Sequence, residues 1–204
     1  MSTSVLFDFP DRAALEGWRL DRTPPGAGCM LLVENERLAA YRTGPPVGSC
    51  TAARELGLDM TADSGLQIAL ADPGSEQVNM SFAMVLSDGT GDIRQRRRLQ
   101  VVRDNGSIRF GDCSDKGCTS NGSLAFDPAN HARWRFAHDS AAGAIYFEVA
   151  PATGPFARPD GVTPVEGINA DLVRCVGVEL GTYEDNPDTT GTAAFDDLIG
   201  GPDR

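Results

Sequence analysis

Apolar and polar residues alternate along most of this chain, and the alternation is broken again and again by Gly, Pro, Asn and Asp. That pattern predicts short strands joined by tight turns. It is clearest in HARWRFAHDSAAGAIYFEVA (131–150), where Trp134, Phe136 and His138 share one strand face and Arg133 and Arg135 the other. After the turn SAAG, Ile145, Phe147 and Val149 point inward, with Tyr146 and Glu148 outward. Upstream, SVLFDF reads as a terminal strand and DRAALEGWRL as a short helical turn or loop with a strand entered at Trp18. CMLLVENERLAAYRT gives two strands around the turn ENER, and GSCTAAREL, DSGLQIALAD, VNMSFAMVLSD, IRQRRRLQVVRD, SIRFGD and SLAFD continue the series. VGVELGTY and GTAAFDDLIG close it. No segment holds a helical apolar period over three turns, so the expected fold class is all-β, an antiparallel two-sheet β-sandwich.

At 204 residues, with 23 Gly and 13 Pro spread along its length, the chain suits one sandwich domain over 1–204. No internal repeat or linker interrupts it. A formal charge of −11 argues against nucleic acid and anionic membranes as partners. No apolar run approaches the roughly 20 residues of a membrane span, and the opening MSTSVLFDFPDRAALEGW shows no signal peptide.

Five cysteines leave at least one unpaired in a monomer. Cys113 and Cys118 flank SDKG, where a short hairpin brings two sulfurs together, while Cys29 and Cys50 flank a strand and its return. Two bridges are therefore expected, with Cys175 the free thiol. Zinc at Cys113 and Cys118 is the rival reading, but it wants four ligands and no second close pair or nearby His supplies them.

The stretch HARWRFAHDSAAGAIYFEVAPATGPFA resembles the H-x-W-x-R…G-x-x-Y-F-E-x-S-x-D-G-x-x-W pattern of concanavalin A-like, laminin-G-like jelly-roll domains. GTAAFDDLIG is similar to their G-x-A-x-F-D-D/N closing strand, LFDFPDRAALEGW to their F-D-x-F…W entry, and CMLLVENERLAAY to the strand that follows. The chain departs from the pattern at APATGPF, with Phe156 near the aromatic position, and at Asn35-Glu36, where Asn-Gly is usual. The resemblance covers nearly the whole chain. It implies a jelly roll, carbohydrate or a cell-surface polymer as partner, and secretion or surface display of the kind seen in bacterial proteins.

The E-x-D-x-x-E strand of jelly-roll glycoside hydrolases and the Gln-x-His strand of the lyases have no counterpart here. Of the two histidines, His131 reads as a hydrogen-bonding corner residue, and His138 ends the same strand. In IRQRRRLQVV the strand period puts Arg94, Arg96 and Arg98 on one face, a ladder able to grip carboxylate or sulfate, or simply a solvated face amid excess acid. Trp134 reads as core and Tyr146 as the better sugar platform. The expected ligand surface is thus Arg94, Arg96, Arg98, Arg135, Tyr146 and Glu148 on one concave sheet face. For structural calcium, the loop GTYEDNPDTTG offers Asp185 and Asp188, with Asp196 close behind. The leading expectation is a noncatalytic, lectin-like module. The alternatives are a structural or adhesive module that self-associates, and an unrecognised glycoside hydrolase or polysaccharide lyase.

Overall fold

The computed structural model describes residues 5–71, 78–87, 97–104, 106–184 and 190–202. Fourteen strands run β1 Val5–Phe7, β2 Arg19–Thr23, β3 Cys29–Glu34, β4 Arg37–Thr43, β5 Gly48–Leu58, β6 Ser64–Leu70, β7 Met80–Ser87, β8 Arg97–Asp104, β9 Ser107–Ser114, β10 Gly117–Ala125, β11 Arg133–Asp139, β12 Ala144–Ala150, β13 Cys175–Glu184 and β14 Thr190–Pro202. Among the described residues there are also two single-turn 3-10 helices, Arg12–Leu15 and Ala170–Val173. The Asp11 side chain caps the first by accepting from the Ala13 N–H.

All pairings are antiparallel, and they form two seven-stranded sheets. Sheet I runs β12-β11-β6-β14-β4-β3, with β1 also paired to β14; sheet II runs β10-β9-β8-β7-β13-β5-β2. The expected β-sandwich is what forms. Its core is the set of inward positions the alternation marks. Phe82 and Phe110 of sheet II meet Phe136 and Phe147 of sheet I at centroid separations of 4.8 and 5.2 Å, beside a fully buried Trp134. Each such ring contributes about 1.5–3 kcal/mol by leaving water. At the entry of the chain, Phe7 and Phe9 both pack against Trp18, at 5.9 and 6.0 Å.

Both expected disulfides form. Cys29–Cys50 is buried and ties β3 in sheet I to β5 in sheet II, whereas Cys113–Cys118 staples a directly cross-paired position of the β9–β10 hairpin. The side chain of Cys175 lies outside the described residues. One strand is longer than its sequence pattern: SLAFD is only the end of β10, which starts at Gly117 because the bridged hairpin carries the pairing through Thr119 and Ser120, with an irregularity between Ser120 and Gly122.

Between β12 and the second 3-10 turn, residues 151–168 form a strap. It exchanges backbone hydrogen bonds with β12 at Val149–Ala157 and Ile145–Val165, and Thr163 donates to the Asn121 carbonyl of β10 at 2.8 Å. β12 and β10 are the terminal strands of their sheets, so the strap covers both open edges on one side of the sandwich.

Candidate functional site

The structure does not bring the expected ligand residues together. Arg98 lies on the outer face of sheet II, while Arg135, Tyr146 and Glu148 lie on sheet I. Arg94 and Arg96 fall outside the described residues. On sheet I the outward residues are occupied by one another. Glu148, opposite Arg135 across β11–β12, is 6% exposed despite its outward position. It accepts from Arg135 Nε at 2.7 Å and from Arg158 Nε at 3.3 Å. Arg158 also lies over the Tyr146 ring at 3.4 Å, and Arg133 and Arg135 stack on Phe156 at 4.9 and 4.7 Å. The Tyr146 face expected to stack on a sugar is thus covered by a guanidinium from the strap. Nearby, the Ser140 hydroxyl and then its N–H hold the exposed Asp63 carboxyl below the usual range.

His131 is the corner residue its position predicts: its Nδ1 accepts the Asp127 N–H at 2.9 Å, and burial lowers its pKa. His138 faces inward, 4% exposed, with Nδ1 3.4 Å from the Ala62 carbonyl oxygen. Asp196 meets Asp8 and Asp197, their carboxylate oxygens lying within 4.8 Å of one another. Asp185 and Asp188 lie outside the described residues.

A cleft of about 540 Å³ opens on the outer face of sheet II. Inward Phe82, Leu99 and Val101 fix the register, so Ser81, Arg98, Gln100 and Val102 face out. Direct cross-strand pairing builds two transverse rows of outward positions. One passes Gly111, Gln100, Ala83, Glu179, Ala53 and Arg19; the other passes Arg109, Val102, Ser81, Gly181, Thr51 and Asp21. The second row sinks in the middle because Gly181 has no side chain. A Cβ there would lie 2.3 Å from the Cys50 carbonyl oxygen, so strand packing demands glycine and leaves a trough above it.

A second opening of about 330 Å³ adjoins it, over Arg19, Ala53, Glu55 and Gly177. Arg98 lines the first cleft and Glu179 the second, and Arg98 Nε donates to Glu179 Oε2 at 2.6 Å while its Nη1 binds the Gln100 amide oxygen. The first cleft is walled by hydroxyls, the Gln100 amide, two guanidinium groups and glycine; among its described lining residues there is no carboxylate. Phe110, its one described aromatic, is 1% exposed. Sequence reasoning missed Ser49, Thr51, Ser81 and Gln100, which read as ordinary outward strand residues. The available signal was glycine within strand interiors, at 111, 177 and 181.

Two antiparallel sheets with this order and a cleft on one outer face define a concanavalin A-like jelly roll. No protein-family model matches the chain, and no curated protein matches it. Among solved structures it is similar to the legume lectin-like domain from Entamoeba histolytica, at TM-score 0.62 and 9% identity over 98% of this chain and 97% of that one. It is also similar to the CBM2 module of the evolved Dit of Lactobacillus casei BL23 phage J-1, at TM-score 0.61 and 10% identity over 98% and 96%. A non-specific endo-beta-1,3(4)-glucanase from family GH16 follows at TM-score 0.58 and 11% identity over 99% and 90%. At these identities the likeness is one of fold.

Proposed function

We propose that this chain is a noncatalytic, lectin-like module that binds carbohydrate in the cleft on sheet II. The observation that carries the reading is the chemistry of the cleft wall: Ser49, Thr51, Ser81 and Gln100 offer paired donors and acceptors, and no described lining residue is a carboxylate. Glycoside hydrolysis uses a pair of carboxyl groups flanking the scissile bond, so the lining of this cleft favours holding a glycan over cleaving it, and of the two carboxylates in the adjoining cleft, Glu55 and Glu179, the second is held by Arg98. The fold it shares with lectins and a CBM2 module supports the same reading. An oxidising, extracellular location belongs to the proposal, since two disulfides persist there.

Affinity electrophoresis through gels containing neutral or acidic polysaccharides, with and without a calcium chelator, tests it. Retardation by one class, weakened in Thr51→Tyr and Ser81→Tyr, is expected, with no reducing sugar released. If no polymer retards the protein, the reading is wrong.

A structural or adhesive role has one observation of its own. β2 ends sheet II with all five residues exposed, among them Leu20 at 50%, an edge on which a second copy of the chain can pair. Light scattering that rises with protein concentration, in a chain that binds no glycan, would favour that role.

A further inference from the structure

We infer that the ligand of sheet II is an uncharged, extended glycan chain lying across the strands in two subsites parted by the Arg98–Glu179 ion pair. This inference rests on the carbohydrate reading above. The two clefts share one sheet face and meet at this pair, Arg98 belonging to the wall of one and Glu179 to the wall of the other. From β10 to β2 that face crosses six strand spacings, about 29 Å at roughly 4.8 Å each. A single sugar fills a small part of such a length, whereas a linear chain can occupy both clefts.

The charge accounting selects against an acidic ligand. Arg98 is paired with Glu179, Arg109 with Asp104 and Arg19 with Asp21. Arg54, at the second cleft, donates to the Glu16 carbonyl and rests over the Phe7 ring at 4.5 Å. An anionic group entering the first cleft competes with Glu179, a carboxylate only 23% exposed, for the charge of Arg98, in a protein of net charge −11. A hydroxyl makes no such demand. It accepts from guanidinium N–H groups outside the Glu179 and Gln100 contacts and leaves the ion pair intact.

The test is calorimetric titration of the whole chain with neutral linear oligosaccharides of increasing length, and with uronate and sulfated oligosaccharides of matched length, at low and high salt. For neutral chains, affinity should rise about tenfold from a disaccharide to a chain spanning both clefts, and change less than about twofold with salt. Ser81→Tyr and Ala53→Tyr, which fill the two clefts separately, should each abolish the gain from length. Glu179→Gln, which releases Arg98, should raise affinity for uronate chains about tenfold, an increment that salt removes. Preference of the unaltered protein for acidic chains, or equal affinity for a monosaccharide and a long neutral chain, overturns the inference and leaves the carbohydrate reading standing. Failure to bind any glycan overturns both.

Discussion

Arg135 and Glu148 face one another directly across β11 and β12, joined at 2.6 Å, with Arg158 reaching the same carboxylate from the strap. Glu148 is nearly out of water, and these two partners offset the cost of burying it. Glu148→Ala leaves two guanidinium groups facing one another and should cost about 2–4 kcal/mol, read as a lower thermal midpoint. Arg158→Ala, which leaves the Arg135 pair in place, should cost less. Glycan binding in the sheet II cleft should be unchanged by either, because both residues lie on the opposite sheet. If either variant folds normally and loses glycan binding, the site lies on sheet I.

The fold was legible in the sequence because its determinants are local. Alternation placed Trp134, Phe136, Ile145 and Phe147 inward, and all four are buried. The Cys113–Cys118 bridge was legible because the SDKG turn already placed its two strands side by side, and Cys29–Cys50 because the pair flanks a strand and its return, although that bridge joins the two sheets. The ligand surface was not, for a nonlocal reason. Outward positions such as Tyr146 and Glu148 look solvent-facing in a strand pattern, yet Phe156 and Arg158 fold back over this face from a loop whose path no periodicity encodes. Likewise, nothing short of the register shows that Val102, Ser81, Gly181 and Thr51 from separate strands line up into one trough.

The β3–β4 turn holds both Asn35 and Glu36 at positive φ, +49° and +62°. Two-residue hairpins of this hand favour Asn-Gly, and Glu in the left-handed region costs roughly 1 kcal/mol that glycine does not. Glu36→Gly should therefore stabilise the chain by about 0.5–1 kcal/mol, raising the thermal midpoint by roughly 1–4 °C. Asn35→Val, placing a β-branched residue in that region, should lower it. A drop on Glu36→Gly would show that contacts of the Glu36 side chain outweigh the backbone preference.

The two disulfides should separate under mild reduction. Cys29 and Cys50 are 3% and 1% exposed, whereas Cys118 is exposed on the hairpin. A dithiol should reach Cys113–Cys118 first, so alkylation followed by mass spectrometry should show that pair modified before any label appears on Cys29 or Cys50. The loops they close differ as well, with sequence separations of 21 and 5. Chain entropy alone then predicts a cost of about 3 kcal/mol for the double Cys→Ala variant at 29 and 50, and about 2 kcal/mol at 113 and 118. Equal labelling rates would contradict the burial of the inter-sheet bridge.

Asp197 should make the fold less stable as the solution turns from acid to neutral. Although the residue is exposed, desolvation by its surroundings, then the neighbouring carboxylates of Asp196 and Asp8, raise its pKa above the ordinary value. The folded chain therefore holds this proton more tightly than the unfolded chain, and between the two pKa values it carries more bound proton. By linkage, the contribution of this group is most favourable below the unfolded pKa and is lost as pH rises through the folded one. Asp197→Asn removes the repulsion, so it should stabilise the protein at neutral pH, and the difference should shrink in urea unfolding curves taken towards pH of about 4 and below. Lys or Arg at position 197 should exceed Asn at neutral pH by pairing with the two remaining carboxylates. A difference that stays constant across the titration would show that Asp197 ionises alike in both states. Stabilisation of the unaltered chain by added calcium, absent in Asp197→Asn, would instead identify the three carboxylates as a cation site.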